Sequence, residues 1–189
     1  MNYELYPLKL CTFSRVTKAK GIEDAVTVVK RVNEKLGYQA FALDIYGAIN
    51  ENEKEWFAAL SKEFPEYITY KGVVEPHESV NILKNYFVLL FPTYYPGEGF
   101  AGTLIDALSS GLPIIASDWR YNKEIVNEKV GMVYPGRDNN ALEAILSDIA
   151  KHPMSILKLK KNCVAEAKLY QPKEAIKPLI NPILNKNQK

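Results

Sequence analysis

Two pairs of charged residues stand out by type and spacing. Glu98 and Asp106 lie eight residues apart within the stretch PTYYPGEGFAGTLIDALSSGLPIIASD, residues 92–118. The first carboxylate therefore falls in a loop and the second about a turn and a half into a helix that opens near Ala101. Both can face one ligand, as hydrogen-bond acceptors for its hydroxyl groups. Arg15 and Lys20, five residues apart in FSRVTKAKG, form the second pair. Two fixed cations so placed can hold an anionic group without a metal ion. Gly99 and Gly102 allow a ligand close to the backbone, and the helix start near Ala101 presents N–H groups that have no partner within the helix.

These residues need a scaffold, and the sequence supplies one. Leu8–Phe13, Ala40–Tyr46, Tyr67–Lys71, Tyr86–Pro92, Pro113–Ser117 and Met132–Tyr134 are short, apolar and rich in branched or aromatic residues, the pattern of strands. Between them, Gly21–Leu36 places Ile22, Ala25, Val26, Val29 and Leu36 on one helical face, with Gly37 as its stop. Helical patterns also cover Glu51–Phe64, Pro76–Lys84, Ala101–Ser110 and Asn140–Lys151. Strands separated by single helices pair in parallel through right-handed crossovers, so the expected class is α/β, a doubly wound Rossmann-like sheet of about six strands. Ligands of such sheets bind beyond the carboxyl ends of the strands, where both charged pairs fall. After Lys151 the strand pattern stops, and Met154–Tyr170 closes the domain as a helix. Residues 1–170 are thus expected to form one domain and 171–189 a tail, whose Pro172, Pro178 and Pro182 each interrupt a helix. Such a tail is either mobile or docked on a surface that this chain lacks.

Composition narrows the function classes. The 189 residues include 47% hydrophobic and 24% charged, with a net charge of +2. That balance is globular, and the interleaved charges give no nucleic-acid surface. Cys11 and Cys163 have no metal-ligand spacing and read as reduced thiols of a cytoplasmic protein. No stretch approaches the length of a membrane span and the N-terminus lacks a leader pattern. His77 and His152 are the only histidines and no Asp-x-Asp occurs, so a metal-dependent route is disfavoured. His77, near a helix start, reads as a surface or capping residue.

Glu98, Gly99, Phe100, Ala101 and Asp106, followed by Ala107, Gly111-Leu112-Pro113 and Ala116-Ser117, resemble the C-terminal, donor-binding domain of the group 1, family 4 glycosyltransferases of the GT-B fold. That family's pattern is Glu-Gly-Phe-Gly with a second Glu eight residues after the first. Ala101 stands where the family usually has Gly, Asp106 is one methylene shorter than Glu, and Ser14 occupies a position where the family often has Gly. Arg15 and Lys20 match the family's arginine and lysine that bind the donor diphosphate. The resemblance implies that Glu98 and the backbone of Gly99, Phe100, Ala101, Gly102 and Thr103 hold the donor sugar, that Asp106 takes the ribose hydroxyls, and that Val73 lies beside the base. It implies a retaining, metal-independent hexosyltransferase, with Glu98, Arg15 and Lys20 at the chemistry and a nucleotide sugar as substrate in place of any cofactor. Polysaccharide or glycoconjugate synthesis is the implied setting. An N-terminal acceptor-binding domain is the implied partner, with peripheral membrane contact through it. The basic pair within the first twenty residues leaves no room upstream for that domain, so the expectation is one half of an enzyme.

Two other readings compete. Gly97-Glu98-Gly99-Phe100-Ala101-Gly102, with Asp118 ending the next strand, satisfies the Gly-x-Gly-x-x-Gly pattern of a dinucleotide-binding module. Against it, Thr93–Pro96 separate strand from loop, and a carboxylate at Glu98 repels a pyrophosphate. Alternatively, Tyr94, Tyr95 and Trp119 could form a partner-binding face.

Overall fold

A computed structural model of the chain describes residues 6–176. Its centre is a six-stranded, wholly parallel sheet in the order β3-β2-β1-β4-β5-β6. Successive strand residues point to opposite faces, and both faces are apolar. In β1 (Leu8–Phe13), Leu8 and Leu10 enter one core and Cys11 the other.

The helix α1 (Ile22–Leu36) follows β1 and buries Ile22, Ala25, Val26, Val29 and Val32 against one face. Gly37, at φ 72°, ends it by donating its N–H to the Asn33 and Glu34 carbonyls, a left-handed cap open to glycine without strain. Asn33, on the buried face of the same helix, clamps the next strand. Its side chain bonds both the N–H and the carbonyl of Phe41, each at 2.9 Å, at the start of β2 (Phe41–Tyr46).

The expected helix at 51–64 is shorter and begins as a tight turn at Glu51–Glu53 before α2 (Lys54–Ser61). After β3 (Ile68–Gly72), Pro76 opens another such turn at Pro76–Glu78 and α3 covers only Ser79–Leu83. Pro76 lacks the N–H that a continuing helix would use, which favours its place at the start. β4 (Val88–Phe91) is buried on both faces and leads through residues 92–101 to α4 (Gly102–Ser110).

β5 (Ile114–Asp118) precedes a four-residue helix that no sequence pattern announced, α5 (Asn122–Ile125). β6 (Gly131–Pro135) and α6 (Asn139–Lys151) complete the alternation, with the Asp138 carboxylate capping α6 through the Ala141 N–H. The expected closing helix at 154–170 divides into α7 (Met154–Leu157), α8 (Lys160–Ala167) and a turn at Lys168–Tyr170. Pro172 does not interrupt a helix, contrary to expectation: it opens α9 (Pro172–Ala175) at the first-turn position where its missing N–H costs nothing. Pro178 and Pro182 lie outside the described residues.

Candidate functional site

The strand order reverses between β1 and β4, and the connections leaving their carboxyl ends carry Arg15 and Lys20 on one side and Glu98, with Asp106 on the helix that follows, on the other. In a doubly wound sheet this reversal opens a crevice because successive connections depart to opposite faces. Here the two loops are also sewn together. The Tyr94 N–H donates to the Ala19 carbonyl at 2.8 Å. Gly21, at φ 70°, passes so near Pro92 that an added Cβ would lie 2.2 Å from its carbonyl oxygen. Gly47, at φ 132°, is pressed likewise against Ser14, where a Cβ would meet the carbonyl oxygen at 1.8 Å. A side chain at either position would force the loops apart.

The close approach produces a bidentate ion pair. Lys20 Nζ lies 2.8 Å from Glu98 Oε1 and 2.6 Å from Oε2, with side chains only 11% and 8% exposed. The Lys20 ammonium also faces the rings of Phe91 and Tyr95, 5.7 Å and 5.1 Å from their centroids, a favourable approach to the negative faces of the rings. Thr93, fully buried, donates its hydroxyl to Glu98 Oε2 at 2.6 Å and accepts the Tyr95 N–H at 3.2 Å. Its own carbonyl takes the Ser117 hydroxyl at 2.5 Å. The loop is braced from β5 as well: Trp119 Nε1 donates to the Tyr95 carbonyl at 2.7 Å and Arg120 to the Pro96 carbonyl at 3.0 Å.

The remaining expected site residues arrange around this pair. Arg15 is exposed, its guanidinium 5.8 Å from the Tyr95 centroid. Among the described residues it has no carboxylate in ion-pair range. Gly99 and Gly102 face open space, since an added Cβ would meet nothing within 4 Å. Ala101 is the cap residue of α4 and provides no side-chain hydrogen bond, so the N–H groups of Gly102 and Thr103 head the helix as unsatisfied donors. Asp106 is half-buried on α4 and accepts the Ser79 hydroxyl at 2.8 Å. Phe100 is 60% exposed, its ring 5.7 Å from that of Tyr170, and Val73 is 67% exposed beyond β3. β3 stands three strand spacings from β4, about 14 Å, so the candidates line one edge rather than one pocket.

His77 is exposed, with Nε2 3.7 Å from Glu78, in keeping with a surface role. Tyr94 lies beneath Arg137, whose guanidinium is 4.2 Å from the ring centroid. Burial is the main cause that raises its hydroxyl pKa. Tyr94, Tyr95 and Trp119 are half-buried parts of the loop's own wall rather than a free face. Asp118 pairs with Lys123 at 3.3 Å, and residues 92–101 separate β4 from α4, a longer connection than the tight turn of a dinucleotide fingerprint. Cys11 and Cys163 are both buried and free. Burial holds the Cys11 thiol well above its ordinary value and pushes Cys163 up to about 12, so neither is poised as a thiolate. Among the described residues no cluster of acidic, histidine or cysteine side chains could hold a metal, and no helix is long and apolar enough to cross a membrane.

Sequence reasoning missed Thr93, Ser79, Trp119 and Arg120 as supports of the site. Thr93 alone left a trace, as a polar residue directly after the apolar run FVLLFP.

Comparison with known proteins shows the family and the fold. The chain is 31% identical over 141 residues to the UDP-N-acetylglucosamine–peptide N-acetylglucosaminyltransferase GtfA subunit of Streptococcus pneumoniae, covering 74% of this chain and 27% of that protein. The crystal structure of the pneumococcal O-GlcNAc transferase GtfA in complex with UDP and GlcNAc superposes with a TM-score of 0.73 at 27% identity, over 95% of this chain and 36% of that one. The C-terminal domain of LpcC, a glycosyl transferase group 1 family protein of Francisella tularensis, shares the fold at a TM-score of 0.75 and 15% identity, over 86% of this chain and 85% of that one. The chain thus spans between 27% and 35% of the length of the curated relatives it matches. The family model of the glycosyl transferases group 1 matches residues 6–170, and with a doubly wound sheet that brings Lys20 and Glu98 together at its switch point, the chain belongs to that family of glycosyltransferases.

Proposed function

We propose that the chain binds the nucleotide-sugar donor of a retaining, metal-independent glycosyltransferase, with an N-terminal domain holding the acceptor. The observation that carries this reading is the Lys20–Glu98 pair at the sheet's switch point, beside the exposed Arg15 and the N-terminus of α4. An ammonium has three N–H groups. Two of them meet the Glu98 oxygens, and the third can reach a diphosphate oxygen without breaking the pair. Arg15 adds a guanidinium whose planar fork suits phosphate. Glu98 accepts from Lys20 at both oxygens and from Thr93 at one, which leaves part of its roughly four-site acceptor capacity for a sugar hydroxyl. The N–H groups of Gly102 and Thr103 begin α4 four and five residues after Glu98, and the approach at Gly99 is open.

In this reading Glu98 orients the sugar while Lys20, Arg15 and the positive end of α4 stabilise the charge on the departing diphosphate. No metal is required for that charge balance. Asp106 takes the ribose, and Val73 with its loop lies toward the base. The site serves polysaccharide or glycoconjugate synthesis in the cytoplasm, with any membrane contact made through the acceptor domain. The edge is open along its length, so transfer needs that second domain to exclude water and fix the acceptor.

Calorimetric titration of the chain with UDP, GDP, ADP and NAD tests the reading. One or more nucleoside diphosphates should bind more tightly than NAD, and a preference for NAD would return the Gly97–Gly102 loop to the dinucleotide class.

A further inference from the structure

The acid expected to hold the ribose is not free to turn. Asp106 Oδ2 accepts a hydrogen bond from Ser79 Oγ at 2.8 Å, and Ser79 is only 3% exposed. Serine and aspartate come from different elements, α3 and α4. Ser79 Oγ also lies 2.9 Å from the Pro76 carbonyl. A hydroxyl has one proton, so it serves one acceptor at a time, and a carboxylate is the stronger of the two. The Pro76 carbonyl remains as an alternative acceptor that keeps the hydroxyl satisfied when Asp106 is removed.

The terminal torsion of an aspartate is broad and roughly two-fold. A carboxylate on a helix with no fixed partner therefore samples many orientations, and a ligand that needs one of them must offset that freedom. A bond to Oδ2 from a buried serine fixes the carboxylate plane and leaves Oδ1 for a hydroxyl. Fixing matters here because the side chain is short and cannot make up for a wrong orientation by reach. Ser79 also begins the helix that follows the Val73 loop, so the bond ties that loop to α4.

We propose that Ser79 is the positioning residue for Asp106, orienting its carboxylate toward the ribose diol and thereby making the site selective for ribonucleoside diphosphates. This rests on the donor-site reading above.

The test is calorimetric titration of the full chain and four variants, Ser79→Ala, Ser79→Thr, Asp106→Ala and the double variant S79A/D106A, with UDP and with 2′,3′-dideoxy-UDP, which lacks both ribose hydroxyls. Ser79→Ala should weaken UDP roughly fivefold, the loss of one net hydrogen bond, while dideoxy-UDP changes less than about twofold. Retained dideoxy-UDP binding shows that the variant is folded. Ser79→Thr should restore UDP affinity, and in the Asp106→Ala background Ser79→Ala should cost nothing further. A Ser79→Ala loss that is equal for both ligands, or that persists without Asp106, overturns the positioning role and leaves the donor site standing. A folded wild-type chain that binds UDP no better than dideoxy-UDP overturns Asp106 as the ribose acid, and one that binds neither overturns the donor-site reading itself.

Discussion

The root and the rim of the binding edge are built in opposite ways. At the root, Thr93, Lys20 and Glu98 are buried or nearly so, joined by short hydrogen bonds, and braced by Ser117, Trp119 and Arg120. At the rim, Val73 and Phe100 expose most of their surface, and the Phe100 ring lies beside the tilted ring of Tyr170. The root is fixed by the protein itself, which suits the role proposed for it, because a preorganised dipole or ion costs no reorganisation during reaction. The rim gains its packing from whatever lies on it.

The sharpest way to break this contrast is to remove Glu98. Glu98→Ala strands the Lys20 ammonium in a largely buried position with ring faces as its remaining neighbours. We expect a destabilisation of about 3 kcal/mol, since removal of one partner leaves an uncompensated charge. In a thermal melt this is a fall of roughly 6–12 °C for a chain of this size. An unchanged melting temperature would mean that the root is no more fixed than the rim.

Arg15→Ala separates binding from folding at the boundary between the two regions. The side chain is exposed, so stability should stay within about 0.5 kcal/mol, while nucleoside diphosphate affinity should fall by about 2 kcal/mol, within the range for hydrogen bonds to charged groups. Chemical denaturation and titration on the same preparation check both. Loss of the folded state would instead make Arg15 part of the root.

The smallest effect belongs to the rim. Phe100→Ala should change stability by about 0.5 kcal/mol, the low end for an aromatic pair, because little surface is re-exposed. Urea unfolding measures it, and a cost above about 2 kcal/mol would show that Phe100 belongs to the core.

The same division governs what the sequence disclosed. The alternation of strands and helices is a local, periodic signal, so the α/β class, the parallel sheet and its number of strands were legible before any coordinates. Lys20 and Glu98 were legible as candidates through the spacing of Arg15 with Lys20 and of Glu98 with Asp106, and through the family pattern that these residues resemble. Their bidentate pairing was not, since it depends on how two loops 78 residues apart approach each other. Ser79 and Asp106 are 27 residues apart, and a serine at a helix start reads as an ordinary cap until α3 packs on α4. Asn33 is a polar residue on the buried face of α1, and only the start of β2 explains it. A boundary slipped at Pro172, because the missing N–H starts a helix as readily as it stops one, while at Glu51–Glu53 and Pro76–Glu78 a tight turn replaces the first turn of the expected helix.

The near-collision of Gly21 with Pro92 and the bond from Tyr94 to Ala19 make the two loops a single mechanical body. A force applied at Lys20 cannot be absorbed by sliding one loop past the other, because the backbone atoms are already in contact. That joint leaves little space at its own backbone, whereas an atom added at Gly99 meets nothing within 4 Å. On the donor-site reading proposed above, the anionic leaving group meets a rigid anvil, and compliance is reserved for the part of the edge that admits and releases the sugar.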